Sequence, residues 1–123
     1  MIVKILYIAA GGALGSTFRF IISYFFKLYF PYFPVGTLFV NIMGSFLIGF
    51  FANYLIHKEM SEMIIKFFLI IGFLGSFTTF SAFSIETLEL IQDGKILLSI
   101  LNVLFSFFLC IFVAYIGFSL IKF

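Results

Sequence analysis

The amino-acid sequence predicts an all-α integral membrane protein, with four transmembrane helices in one domain that covers residues 1–123. Of the 123 residues, 64% are hydrophobic and only 10% are charged. A helix that crosses the bilayer needs about 20 mostly apolar residues, so four helices would use roughly 80. A soluble domain needs a polar face on every element, which 7 basic and 5 acidic side chains cannot supply. The composition therefore excludes a soluble globular protein, a disordered tail, a nucleic-acid-binding protein and a large enzyme with a domain in water.

The first two predicted spans are joined by an aromatic connection. The first runs from Ile2 to Phe26 and carries Arg19 in its second half. The segment Tyr29–Pro34 that follows has two prolines and four aromatic rings. Because proline ends a helix and aromatic rings favour the membrane–water interface, this segment is predicted to be a short interfacial loop. The second span runs from Gly36 to Ile56.

The last two predicted spans are joined by a turn. The third begins near Met63 and runs toward Asp93–Gly94, where glycine marks a helix end. Ile96–Ile121 forms the fourth span. It contains Cys110, and a single cysteine cannot form an internal disulfide.

The basic residues give only a weak signal for orientation in the membrane. Four spans place both termini on one side, and the Lys and Arg residues divide four to three, as Lys4, Lys58, Lys66 and Lys122 against Lys27, Lys95 and Arg19. The difference in Lys and Arg between the two sides sets topology, and here it is small. Two interpretations follow from the charges: one orientation fixed during insertion, or a chain that inserts both ways and pairs with an inverted copy.

Polar and small residues recur every four positions in the second and fourth spans. They are Thr37, Asn41, Ser45, Gly49 and Asn53 in the second span, and Asn102, Ser106, Cys110 and Ala114 in the fourth. Residues four apart lie on one slowly winding helical stripe. Small and hydroxyl residues on such a stripe fit helix packing, whereas an amide within a bilayer needs partners or water. We therefore predict a wet polar track at Asn41 and Asn102.

The third span contains two glycines and five hydroxyl residues between Gly72 and Ser84. One interpretation is a continuous helix whose hydroxyls bond back to its own carbonyls. The other is a helix broken in the middle of the membrane, where freed carbonyls line a cavity and can hold a cation. We predict the broken helix. Phe80 and Phe83 follow the hydroxyls on one helical face, and the positive edges of their rings could line a path for a small anion.

The chain resembles the Fluc (CrcB) family of fluoride channels over nearly its whole length. The matching residues are Gly11–Gly15 with Arg19, Pro34–Leu38 with Asn41 and Gly44, and Gly72–Gly75 followed by Thr78–Ser81, Phe83, Ser84 and Glu86. The last of these blocks is very specific to the family.

The resemblance implies a dual-topology chain that forms an antiparallel homodimer with two fluoride pores and a structural sodium ion at its centre. Backbone carbonyls of Gly75 and Thr78 would hold the sodium. The implied pore residues are Phe80 and Phe83 through their ring edges, with Asn41, Thr79 and Ser81 as donors, and Ser106, Asn102 and Cys110 on the fourth helix. Arg19 would lie toward a vestibule or snorkel to the interface, and Glu86 would anchor the second half of the third span.

The sequence departs from the family pattern at three positions. Asn102 stands where tyrosine is frequent, Cys110 where serine is frequent and Ala82 where threonine is frequent. Asparagine can still donate a hydrogen bond, but a thiol donates only weakly. We expect the departures to affect the far end of the polar track more than the Phe80 and Phe83 site.

The function implied is passive export of fluoride through the inner membrane of a bacterial cell. No enzymatic activity and no organic cofactor are expected, since His57 in a loop cannot build a catalytic or metal site by itself. Two alternatives remain open from the sequence. A four-span multidrug or cation exporter of dual topology would match the size, but it requires an acidic residue in an early span. A structural or assembly protein would leave the clustered hydroxyls unexplained.

Overall fold

A computed structural model describes residues 1–57 and 62–122, and this part of the chain is helical with no β-strand. Its helices are α1 (Ile2–Tyr29), α2 (Val35–His57), α3 (Met63–Leu74), α4 (Gly75–Phe77), α5 (Phe80–Gln92) and α6 (Ile96–Ser119). Four stretches are long and apolar enough to cross a membrane, namely α1, α2, the run Met63–Gln92 and α6. The prediction of four spans is confirmed. Lys58, which the charge argument used, lies outside the described residues.

The helix ends agree closely with the sequence prediction. α1 continues to Tyr29, where the N–H of Phe30 closes its last turn on the Phe26 carbonyl at 2.8 Å. Gly94 adopts a positive φ of 74°, a conformation that glycine reaches without steric cost, and so ends the third span. α6 ends at Ser119, earlier than the predicted Ile121, and the Ile121 carbonyl instead accepts a hydrogen bond of 2.9 Å from Asn53.

α1 packs along α3 through its glycines. A Cβ added at Gly11 would collide with the Phe68 carbonyl oxygen, and one at Gly15 would collide with the Phe73 carbonyl oxygen. The backbones therefore touch directly, as small residues permit between membrane helices. The two helices run parallel, since Lys4 contacts Phe67 near the start of both and Arg19 contacts Ser76 further along.

α2 packs along α6 in the same way. Gly49 lies against the Ala114 carbonyl oxygen, and Gly117 lies against the Phe46 carbonyl oxygen, so a Cβ on either glycine would collide with backbone. The predicted packing role of Gly49 and Ala114 is confirmed. Asn53, next on the same stripe, donates to the carbonyls of Phe118 and Ile121 and satisfies the end of α6.

The third span is interrupted at two threonines. Thr78 (φ −83°, ψ 150°) and Thr79 (φ −150°, ψ 120°) are extended, while Gly72 and Gly75 stay helical. Before the interruption α3 is wound more widely than an α-helix, since the N–H of Gly75 bonds to the Ile70 carbonyl five residues earlier. The Gly-x-x-Gly motif therefore does not unwind the helix. Gly72 instead allows the close approach of α1, since a Cβ there would lie 2.8 Å from the Ile8 carbonyl oxygen.

Candidate functional site

Asn41 holds the interruption of the third span in place. Its side-chain oxygen accepts a hydrogen bond of 2.7 Å from the N–H of Thr79, and its Nδ2 donates to the Thr79 carbonyl at 3.1 Å. An amide that pairs with a peptide group in this way satisfies both polar atoms of the extended residue. The buried Asn41 therefore has a structural partner, in addition to lying on the predicted polar track.

The interruption also leaves two main-chain carbonyls, those of Gly75 and Thr78, without their helical donors. In a continuous helix the Gly75 carbonyl would accept from the N–H of Thr79, which here bonds to Asn41. The Thr78 carbonyl would accept from the N–H of Ala82, which here bonds to the Thr79 hydroxyl at 3.1 Å. Both predicted sodium ligands thus lack their usual helical donor. Hard cations prefer oxygen ligands of this kind, so the donor set fits the ion.

Arg19 lies at the interruption. Its Nε donates to the Ser76 carbonyl at 3.0 Å. That carbonyl also lacks a continuing helix to bond with, and a cation at the carboxyl end of a helix is stabilised by the aligned peptide dipoles. The structure thus gives the half-buried Arg19 a defined partner in the third span.

Thr79 caps the amino end of α5. Its hydroxyl oxygen accepts from the N–H of Ala82 and lies 2.9 Å from the Ser81 hydroxyl. The first N–H groups of any helix have no intrahelical partner and carry a partial positive charge. The interruption therefore creates a helix end that favours an anion.

A groove of about 460 Å³ opens beside this helix end. Residues of α2, the interruption, α5 and α6 line it: Asn41, Ser45, Thr78, Thr79, Phe80, Phe83, Val103, Ser106, Phe107, Cys110 and Ile111. The structure thus brings together six of the residues that the resemblance implied for the pore, namely Asn41, Thr79, Phe80, Phe83, Ser106 and Cys110. Within the described residues, no acidic side chain lines the groove.

Two aromatic rings stand at the start of α5. The ring centroids of Phe80 and Phe83 are 5.2 Å apart with an interplanar angle of 55°. Phe80 is 78% exposed although it is a large apolar residue. The prediction that these rings are neighbours on one helical face is confirmed.

The hydroxyl groups that lie in or near the groove differ in whether they are hydrogen-bonded to their own helix. Thr78 donates to the Leu74 carbonyl at 3.0 Å, and Ser84 donates to the Phe80 carbonyl at 2.8 Å, so both bond back to their own helix. Ser106 is different. In the part of the chain that the structure describes, its hydroxyl has no hydrogen-bond partner, and it lines the groove.

Two predicted pore residues do not line the groove. Asn102 is only 2% exposed and donates to the Thr87 hydroxyl at 2.9 Å, so it joins α5 to α6. Ser81 is exposed and reaches the site only through its contact with Thr79. The four-residue spacing placed Asn102 on one stripe with Ser106, but spacing says nothing about partners on a neighbouring helix.

The residue pattern by itself did not reveal the contact between Glu86 and Thr37. The Thr37 hydroxyl donates to its Oε1 at 2.7 Å and so ties α5 to α2. This agrees with the anchoring role that the family resemblance implied. The other carboxylate oxygen, Oε2, is buried and has no partner among the described residues.

The fold and the groove define a class of protein: a small multi-pass membrane protein whose third span is interrupted beside a groove of aromatic and hydroxyl side chains. The family described as CrcB-like protein, Camphor Resistance (CrcB), matches residues 6–118. Because this match covers most of the sequence, the chain belongs to the CrcB family.

Curated relatives carry a more specific name. The chain is 42% identical over 123 residues to a fluoride-specific ion channel FluC of Campylobacter jejuni subsp. jejuni serotype O:23/36, a match that covers 99% of this chain and 100% of the relative. It is 47% identical over 119 residues to the protein of that name from Shewanella woodyi, covering 96% and 95% of the two chains. The protein of that name from Rhizobium meliloti is 40% identical, with the same coverage.

Proposed function

We propose that this protein is a fluoride-specific ion channel that lets fluoride leave the bacterial cytoplasm through the inner membrane. One observation carries the proposal. The rings of Phe80 and Phe83 and the hydroxyl of Ser106, which has no hydrogen-bond partner among the described residues, line one groove at the amino end of α5. The names of the curated relatives support the same ion.

The groove suits an anion rather than a cation. The ring edges carry partial positive charge, the Ser106 hydroxyl can donate, and the helix end adds the positive end of its dipole. Asn41 can add one donor, since its Nδ2 carries two hydrogens and Thr79 takes one. In contrast, the described lining contains no carboxylate that would repel an anion.

Transport through this groove requires no energy source. Fluoride is small and strongly hydrated, so a selective path must replace its water with donors in a space too narrow for larger anions. Each elementary charge that crosses a potential of 100 mV gains about 2.3 kcal/mol. Passive electrodiffusion is therefore sufficient to lower cytoplasmic fluoride.

The functional unit in this proposal is an antiparallel homodimer. Gly75 supports it, because this residue is exposed and helical, and a Cβ added there would have only an ordinary contact of 3.5 Å with the Ile70 carbonyl oxygen. Glycine costs about 1 kcal/mol relative to alanine within a helix, and the protomer offers no compensation. Close approach by a second copy explains the residue. The balanced basic residues and the exposed Phe80 fit the same arrangement.

A structural sodium ion would lie at the centre of that dimer, in the middle of the membrane. The carbonyls of Gly75 and Thr78, which lack their usual helical donors, would hold it, and an inverted copy would double their number. When bound, the ion would supply positive charge that holds the two chains together. Arg19 donates a hydrogen bond to the neighbouring Ser76 carbonyl and so brings its positive charge close to the same position.

The test is ion efflux from vesicles that contain the purified protein. A potassium ionophore is added to remove the membrane potential. A fluoride electrode should then record rapid fluoride release, whereas a chloride electrode should record almost no chloride release. Protein-free vesicles are the control for leak. Equal release of the two anions, or no fluoride release, would contradict the proposed function.

A further inference from the structure

The helix α5, which carries the two aromatic rings of the groove, is only loosely packed within the protomer. Leu90 is its buried residue, and its other residues are half-buried or exposed. Helices in a bilayer associate through close packing and interhelical hydrogen bonds, so a helix with little buried surface depends on its hydrogen bonds. Among the described residues, two side-chain hydrogen bonds join α5 to other helices, from Thr37 to Glu86 and from Asn102 to Thr87.

The hydrogen bond between Asn102 and Thr87 continues to the main chain of Phe83. The Asn102 Nδ2 donates to the Thr87 hydroxyl oxygen at 2.9 Å, and that hydroxyl donates to the Phe83 carbonyl at 2.7 Å. Consecutive hydrogen bonds of this kind polarise and strengthen one another. Because Asn102 is buried, loss of the Thr87 hydroxyl would leave its amide without this partner. The turn of α5 that carries Phe83 is therefore coupled to α6.

The same hydrogen bond sets the register between two residues of the groove. The turn at Gly94 joins α5 to α6, so the two helices run antiparallel. Phe83 lies four residues before Thr87, and Ser106 lies four residues after Asn102. Each step covers about 6 Å at 1.5 Å per residue, and both steps lead away from the Gly94 turn. The bond therefore fixes the level of the Phe83 ring relative to the Ser106 hydroxyl, and both residues line the groove.

We propose that Asn102 is a positioning residue for the ion path. Through Thr87 it sets the separation between the Phe83 ring and the Ser106 hydroxyl, and so the selectivity for fluoride over larger anions. The lining that the structure describes does not include Asn102, so it acts through other residues and does not contact the ion. A selective path must hold its donors close enough to replace the water of a small anion, and a wider groove admits larger anions. This inference rests on the proposed conduction of fluoride.

The ratio of fluoride to chloride efflux from vesicles tests the positioning role. Thr87→Val is nearly isosteric and removes the hydroxyl, and Asn102→Ala removes the donor. Each should lower the ratio about tenfold, the effect of one hydrogen bond to a charged group. Thr87→Ser keeps the hydroxyl and should keep the ratio. A residue that only stabilises the fold would change the release of both anions together, so an unchanged ratio in Thr87→Val and Asn102→Ala would overturn the proposal.

The thiol of Cys110 measures the width of the groove without any ion transport. Cys110 is the single cysteine of the chain, it lines the groove, and it lies one helical turn beyond Ser106. The purified protein in detergent is treated with N-ethylmaleimide, and the mass of the intact chain follows the reaction. We expect Thr87→Val to react severalfold faster than Thr87→Ser and the unchanged protein. Equal reactivity in the three proteins would overturn the proposal.

Ser99→Ala is the matched control. Ser99 is also buried on α6, but its hydroxyl donates to the Ile96 carbonyl of its own helix at 2.8 Å. This variant should keep both the efflux ratio and the thiol reactivity, and a loss equal to that of Asn102→Ala would refute the proposal. If the unchanged protein releases no fluoride, the proposed function fails. The thiol comparison then still decides whether the bond between Asn102 and Thr87 sets the width of the groove.

Discussion

The side chain of Asn41 in α2 exchanges two hydrogen bonds with the main chain of Thr79, at 2.7 and 3.1 Å. One amide thus fixes the extended residue at which the third span is interrupted. Its acceptor removes the N–H donor that the Gly75 carbonyl would otherwise use. The geometry of the anion-favouring helix end and of the freed carbonyls therefore depends on a single buried side chain.

Replacement of Asn41 by alanine should abolish fluoride efflux and destabilise the fold. The change leaves the N–H and the carbonyl of the half-buried Thr79 without partners, at a cost of at most about 1–3 kcal/mol for each group. Thermal unfolding in detergent measures the stability, and efflux from vesicles measures the transport.

Asn53→Ala is the matched control for this prediction. Asn53 also donates to two main-chain carbonyls, but these lie at the end of α6. The control should lose comparable stability and should still conduct fluoride in proportion to the folded protein. If Asn41→Ala conducts like the unchanged protein, Asn41 does not hold the ion path.

The positions of the spans could be predicted because they depend on the length of each apolar run, which can be read directly from the sequence. The turn at Gly94 could be predicted for a similar local reason, since its positive φ favours glycine. An interruption of the third span was also predicted, from the two glycines and five hydroxyl residues between Gly72 and Ser84, although the glycines themselves stay helical. In these cases the physical cause lies within a few residues of its effect.

The position of the interruption and the partner of Asn102 depend on other helices, which no local pattern records. Gly72 stays helical and admits the close approach of α1, whereas Asn41, 38 residues earlier, takes the N–H and the carbonyl of the extended Thr79. Asn102 shares a stripe with Ser106 but bonds to Thr87 across the turn. The family resemblance supplied the remaining site residues.

Gly44→Ala, a change in α2, should displace the interrupted segment of the third span. A Cβ added at Gly44 would collide with the Thr78 methyl group, and it would also lie 3.3 Å from the Phe77 ring. Overpacking of this kind costs typically about 1–3 kcal/mol, and here it moves a residue that lines the groove. We expect a lower unfolding temperature and strongly reduced fluoride efflux.

Gly12→Ala provides the comparison for Gly44→Ala. Its new Cβ would lie 3.2 Å from the Ser76 hydroxyl, a side-chain atom that can rotate away, and its other neighbour is 3.9 Å distant. This variant should keep near-normal stability and efflux. Similar losses in both variants would mean that glycine content, rather than contact with Thr78, controls the result.

Phe80→Ile should remove fluoride efflux while leaving the fold intact. The exposed ring contributes little to packing within the protomer, but isoleucine has no ring edge to offer an anion. Circular dichroism checks the helix content, and efflux from vesicles checks transport. Phe112→Ile is the control, because Phe112 is also exposed but does not line the groove. Unchanged efflux in Phe80→Ile would remove this ring from the proposed mechanism.

Gly75→Ala should weaken dimer assembly without destabilising the protomer. Among the described residues of the protomer, only an ordinary contact of 3.5 Å with the Ile70 carbonyl oxygen meets the added methyl group, and alanine favours the helical conformation that Gly75 already has. Helix content should therefore be retained. If two inverted copies meet at this position, the methyl group holds them apart, so chemical crosslinking in vesicles should yield fewer dimers and efflux should fall. Normal crosslinking and efflux would place the dimer interface elsewhere and leave Gly75 without a role at the proposed sodium site.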